Sequence, residues 1–460
     1  MGKLFGTKEF YKNTMHIAVP IVLQNLITAF VAMLDNIMVG RLGTAPMSGV
    51  AIVNQLIFVF NVVIFGALSG AGIFCAQFFG KKDIEGVHHC FRFKGYAALI
   101  VCMVAFGIFI HSGDSLISLY LHDSGNTSAL KETLSYAQSY LNIMLLGLVP
   151  FSITQIYAST LRECGHMRLP MFAGIAAVIT NTVLNYILIF GKLGFPALGA
   201  DGAAIATVIS RFIECGITVI VTHIKKAEYP YAVGFYKSPK IPLRTTKLIF
   251  AKGTLLFINE FLWATGTATL SQCYSYRGLD AVAAINITST ISNLFGIVFH
   301  AMGSVVAIII GQLLGAGKKE EAIDTNTKLI TLAVITSTAI AIVMACFSGL
   351  FPMAYNTEPS VRTLATYFIL ANALILPVQT FCFTGYFTIR AGGKTGTALT
   401  VDSGVMYLVA IPLAFSLSRF TGLPAAPLYL LVQSTEFIKS IFTFIFLKQK
   451  KWVKNIVENI

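Results

Sequence analysis

Residues 50–82 read VAIVNQLIFVFNVVIFGALSGAGIFCAQFFGKK, with no charged side chain between Val50 and Gly80. A run of this length and character crosses a hydrocarbon core of about 30 Å as a helix, which takes about 20 residues. It stops at Lys81-Lys82, cations of the kind that end a span at the membrane surface. The pattern repeats in both directions. The chain divides into twelve apolar stretches, at 15–39, 50–74, 95–111, 135–160, 171–190, 200–224, 248–275, 281–310, 329–351, 362–389, 397–418 and 425–447. The expected fold is an all-α polytopic membrane protein.

Composition agrees. Hydrophobic residues make up 56% of the 460 positions and charged residues 12%, against about 25% charged in a soluble domain. The net charge of +13 does not indicate nucleic acid, because its cations are shared among short loops and so set topology. Segments 1–14, 75–94, 161–170, 225–247, 311–328, 390–396 and 448–460 hold 24 of the 33 Lys and Arg. The six alternate loops hold one each, and Arg211, Lys252 and Lys439 lie in or at the edge of spans. Both termini are therefore expected in the cytoplasm and the protein in the inner (cell) membrane, surrounded by membrane lipid. The polar segment 1–14 and the long first span do not read as a cleaved signal peptide. The eight cysteines show no CxxC pair, and neither a metal site nor a cofactor is expected.

The longest polar connection, 225–247, divides the chain into an N-terminal six-helix bundle (1–224) and a C-terminal one (248–460). An internal repeat supports this division. Gly43 and Gly278, Gln77 and Gln312, and Gly80 and Gly315 are each 235 residues apart. Leu161-Arg162-Glu163-Cys164-Gly165 and Ile389-Arg390-Ala391-Gly392-Gly393 form a further pair offset by 228. Six spans per half give both repeats one orientation, related by a pseudo-two-fold axis along the membrane normal. Two facing bundles suggest a transporter that alternates access to a central cavity.

Carboxylates at membrane depth are costly and by default functional. Those in spans are Asp35, Glu214, Glu260, Asp402 and Glu436. Arg211 with Glu214 and Lys439 with Glu436 share a helix face at i,i+3 and are expected to form structural ion pairs. Asp402 follows Lys394 by eight residues, which leaves an interfacial pair and a transport role both open. Asp35 and Glu260 have no base within four positions. Asp35 shares its span with Pro20, which removes a backbone hydrogen bond and is expected to kink the helix. Asn181 and Asn185 lie on one face of span 5 and Thr207 in span 6, uncharged groups able to hold a cation or Asp35 itself. Gly393-Lys394-Thr395 lacks the first glycine of a phosphate-binding loop, position 388 being Thr. Lone His300 reads as a core residue.

In order and spacing, several motifs together resemble the multidrug and toxic compound extrusion (MATE) family. They are Asp35-Asn36-Ile37-Met38-Val39-Gly40, the two Gln…Gly loops, Leu161-Arg162…Gly165, Asn181…Asn185 and Gly199-Ala200-Asp201-Gly202 through Thr207. The resemblance covers essentially the whole chain. It implies a secondary active antiporter, not an enzyme, that exports amphipathic, often cationic drugs or toxic compounds in exchange for protons or sodium ions. A monomer is expected. The N-half is closer to the DinF-like branch, where a span-1 Asp and groups in spans 5 and 6 form the ion site. The matching positions are Asp35, Asn181, Asn185 and Thr207, with Na+ at Asp35 as one form of the site. The position of Asn185 is an Asp in well-studied members, so this site has one carboxylate fewer. Another branch places acids in spans 7 and 10; here Glu260 falls about one turn from the first and span 10 has none. The alternative is a lipid-linked precursor flippase of the same wider superfamily, which calls for a basic cavity. Only Arg211, Lys252 and Lys439 reach membrane depth, and two of them have local acids. An enzyme would need paired acids, a Ser/His arrangement or a metal cluster on one loop, and none appears.

Overall fold

The structure is a computed structural model that describes residues 4–120, 127–355, 357–458 and 460. Among these residues there are helices and no strands. The helices are α1 (Lys8–Gly40), α2 (Thr44–Gly80), α3 (Ile84–Ser118), α4 (Thr127–Leu145), α5 (Leu148–Glu163), α6 (Arg168–Phe190) and α7 (Gly199–Ile224). They continue as α8 (Leu243–Ser275), α9 (Leu279–Gly315), α10 (Lys319–Cys346) and α11 (Pro359–Ala391), then α12 (Thr395–Phe420) and α13 (Ala425–Lys448). Eleven are long and apolar enough to span a membrane, and α4 with α5 makes the twelfth. All twelve expected spans are present. Most run several residues past the apolar stretch, because helical hydrogen bonding continues after the chain has left the hydrocarbon.

Two spans depart from a simple rod. The fourth is bent by 48° between α4 and α5. Pro150, in the first turn of α5, has no N–H to offer the carbonyl four residues back and disfavours a continuous ladder there. Span α12 is π-helical over Thr400–Gly404 and Met406–Ala410, a form that concentrates at functional sites. Pro20 lies inside α1, which is helical from Lys8 to Gly40.

The chain forms two compact units. One comprises residues 23–75 and 84–246, and the other residues 1–22, 76–83 and 247–460. In the first, α6 and α7 pack so closely that a Cβ on Gly202 would lie 2.7 Å from the carbonyl of Leu188. Segment 225–247 is a folded strap on this unit. Phe235 stacks on Phe91 with ring centroids 3.8 Å apart, and His88 Nε2 meets the Tyr231 carbonyl at 2.8 Å. Tyr229, Tyr231 and Phe235 are buried. His166 lies edge-on to Tyr229, where burial holds its imidazole below the usual pKa against the opposing pull of Glu228.

In the second unit the repeated Gln…Gly loops cross each other. A Cβ on Gly80 would overlap the backbone of Gln312, and one on Gly315 the backbone of Gln77. Only glycine permits this approach. The C-terminal segment docks here as well. The Gln77 side chain donates to the carbonyls of Ala391 (2.9 Å) and Lys454 (3.2 Å) and accepts from the Ile456 amide (2.8 Å).

Candidate functional site

Asp35 sits on the part of α1 that belongs to the first unit. Facing it, the i,i+4 spacing of Asn181 and Asn185 on α6 turns both amides to one side. Asn185 Nδ2 donates to Asp35 Oδ1 at 2.6 Å. With its amide oriented to accept from Thr207 Oγ1 at 3.2 Å, Asn181 donates to both Asp35 oxygens at 2.9 and 3.1 Å. The structure thus brings Asp35, Asn181, Asn185 and Thr207 together. Asn185 is 1% exposed, and its Oδ1 is buried with no hydrogen-bond partner.

The chemistry of this cluster follows from its composition. It contains one carboxylate, two amides and a hydroxyl, and among the described residues no ion pair is made to Asp35. The amide N–H groups favour the ionised carboxylate, while burial favours the protonated one. A carboxylate with these partners is chemically able to hold a proton or a small cation. The oxygens of Asp35, Thr207 and the two amides are hard donors of the type that hold alkali and alkaline-earth ions. Among the described residues, no group of three or more His, Cys, Asp or Glu is placed to hold a metal.

The second unit holds three of the other intramembrane acids, Glu260, Asp402 and Glu436, beside cations. Lys439 Nζ meets Asp402 Oδ1 at 2.5 Å, and Glu436 lies farther off at 3.8 Å. Asn259 Nδ2 donates to Asp402 Oδ2 at 2.9 Å, and Ser403 Oγ donates to Asn259 Oδ1 at 2.7 Å. Glu260 lies 3.8 Å from Arg390, whose guanidinium covers the Phe387 ring at 5.1 Å.

Three sequence expectations change here. Lys439 takes Asp402 as its main partner rather than Glu436, because α12 and α13 place the Asp402 carboxylate nearer than the local i,i+3 geometry places Glu436. Glu260 has a base after all, contributed from 130 residues downstream. Arg211 forms no ion pair with Glu214 among the described residues. It donates to the Gly147 carbonyl at 3.3 Å and covers the Phe151 ring at 5.1 Å. The Gly147 carbonyl also accepts from the Phe151 amide at 3.2 Å, so the guanidinium takes its second lone pair. A further buried pair, Lys94 and Glu163 at 2.6 Å, also escaped the sequence reading. Both residues lie at span ends, where they read as loop charges, and their 69-residue separation carries no local signal.

The MatE family model matches residues 20–187 and 256–416. The chain is 24% identical to the probable multidrug resistance protein NorM of Thermotoga maritima over 98% of its own length and 94% of that protein's. It is also 24% identical to the multidrug export protein MepA of Staphylococcus haemolyticus, over 94% and 92%. In structure it resembles the Vibrio cholerae MATE transporter VcmN in the bent form, with TM-score 0.83, 17% identity and coverage of 96% and 97%. It also resembles a multidrug resistance MATE family transporter in an outward-facing conformation, with TM-score 0.85, 16% identity and coverage of 97% and 96%.

Proposed function

This chain belongs to the MatE family, and from that premise we propose that it is a secondary active antiporter. It exports amphipathic, often cationic small molecules in exchange for protons or sodium ions. The relatives named for multidrug resistance and export support the substrate class. The observation that carries the mechanism is the Asp35 carboxylate, held by the amides of Asn181 and Asn185 with no neighbouring base among the described residues. Entry of a proton or sodium ion neutralises Asp35 and removes the reason for its amide contacts. Its departure restores them, so occupancy of the site is linked to the local arrangement of α1 against α6. The orphan Asn185 Oδ1 is an acceptor awaiting a donor or a cation, which suits an ion that comes and goes.

The same reading places both termini in the cytoplasm of a cell whose inner membrane holds the protein as a monomer. Its two six-helix halves are 1–224 and 248–460, related by the internal repeat. No resident cofactor enters the scheme. Dye efflux from proteoliposomes under separate proton and sodium gradients tests it. Efflux driven by one gradient and lost in Asp35→Asn is the expected result. Efflux unaffected by either gradient or by the substitution overturns it.

A further inference from the structure

A cavity of about 490 Å³ lies within the first unit, between α3, α5 and the 225–247 strap. Its volume is within the roughly 300–1,000 Å³ typical of small-molecule sites. One wall is aliphatic, formed by Leu99, Val149, Ile153 and Ile156. The strap contributes Phe235, Tyr236, Ser238 and Pro239 to the lining. From Phe91 to Cys102 the cavity follows α3 for about 16 Å, about half of a hydrocarbon core of about 30 Å. It therefore occupies the depth of one leaflet. Leu99 and Val149 are 56% and 45% exposed, so the wall opens sideways toward lipid.

We infer that this cavity holds one acyl chain of an anionic phospholipid, with the headgroup against Lys237 and Lys240. The proposal rests on the topology reading above, which puts the strap at the cytoplasmic leaflet. The sign of charge decides the occupant. Six Lys and Arg and one acid, Glu228, lie in 225–247, and the side chains of Lys237 and Lys240 are exposed. Juxtamembrane cations of this density attract anionic lipid. The one cation in the lining, Arg92, is already used. It donates to Glu85 (3.0 Å) and to the carbonyls of Phe235 (3.2 Å), Lys240 (3.2 Å) and Gly234 (3.4 Å). Arg92 thus fixes the strap and leaves the headgroup to the two lysines. No carboxylate lines the cavity, so a cationic transport substrate finds no counter-charge there. Tyr96 closes the arrangement by donating to the Pro239 carbonyl at 2.8 Å.

Native mass spectrometry of the full-length protein with phosphatidylglycerol or phosphatidylcholine tests this. Wild type should retain one phosphatidylglycerol with roughly tenfold preference over phosphatidylcholine. Gly95→Phe fills the cavity, since a Cβ there meets nothing within 4 Å, and should abolish retention of both lipids. Ile153→Trp is a second filling variant and should do the same. The double change Lys237→Gln with Lys240→Gln should keep a bound lipid but bring the preference close to one. Equal retention of both lipids by wild type overturns the proposal. So does unchanged retention in both filling variants at wild-type melting temperature, or displacement of phosphatidylglycerol by ethidium. Labelling of Lys237→Cys only from outside intact cells defeats the topology reading and with it the leaflet assignment. Loss of dye efflux with lipid retention intact would count against the antiporter reading alone.

Discussion

Asp35 and Asp402 are both carboxylates at membrane depth, yet their surroundings assign them different work. Among the described residues Asp35 is held by neutral donors alone, and the proposed coupling requires its charge to change. Asp402 is bonded to Lys439 and Asn259, so its charge is part of the packing. Asp35→Asn preserves shape and hydrogen bonding. It should leave the amount of protein in the membrane normal and nearly abolish efflux, measured as dye release alongside an immunoblot. Asp402→Asn should instead leave Lys439, 15% exposed, with only Glu436 at 3.8 Å, and breaking a buried pair costs up to about 3–5 kcal/mol. The expected signature is a lowered melting temperature and reduced yield, read by fluorescence size-exclusion after heating. Wild-type melting of Asp402→Asn would move that residue from packing to transport.

At the scale of helices, the twelve spans were legible because length and lack of charge alone decide membrane crossing. The bend in the fourth was not, although Gly147 and Pro150 stand at the break. An apolar window averages over such residues, and the consequence shows only in a third element, where Arg211 of α7 bonds the Gly147 carbonyl. The i,i+3 rule found Arg211 and Glu214 on one face but had no means of weighing a carbonyl 64 positions upstream. The same holds for the site. The side-by-side placement of Asn181 and Asn185 follows from spacing. Their meeting with Asp35, 150 residues from Asn185, came from family resemblance. The 225–247 strap read as a linker because Lys and Pro dominate it, while the aromatic residues that bury it on α3 are few. Arg211→Ala removes a hydrogen bond and a cation–π contact at the bend. It should lower stability by about 1–3 kcal/mol and leave the ion dependence of the remaining efflux unchanged. Altered ion dependence in that variant would give Arg211 a part in coupling.

Across the whole molecule, orientation rests on the 24-to-6 division of Lys and Arg between alternate segments, and the folded chain supplies an independent constraint. Residues 76–83, the end of α9, the end of α11 and the C-terminal segment meet in one unit. Gln77 bonds Ala391 and Lys454, Asn455 Nδ2 donates to the Gly315 carbonyl at 3.2 Å, and Lys81 Nζ to the Val457 carbonyl at 2.9 Å. Groups in hydrogen-bond contact lie on one side of a bilayer, so Lys82, Lys319 and Lys454 share a face whichever way the protein inserts. For Lys192, which follows α6, the charge count alone gives the expectation of the opposite face. Charge then selects which face is which, because basic loops stay in the cytoplasm. Single cysteines at positions 82, 319, 454 and 192 in a thiol-free background separate the two arguments. In intact cells an impermeant maleimide should label 192 alone, and in inverted vesicles the other three. Labelling of 82 and 454 from opposite sides would break the contact argument. Labelling of 82, 319 and 454 together from outside would leave the fold intact and reverse the orientation that the charges imply.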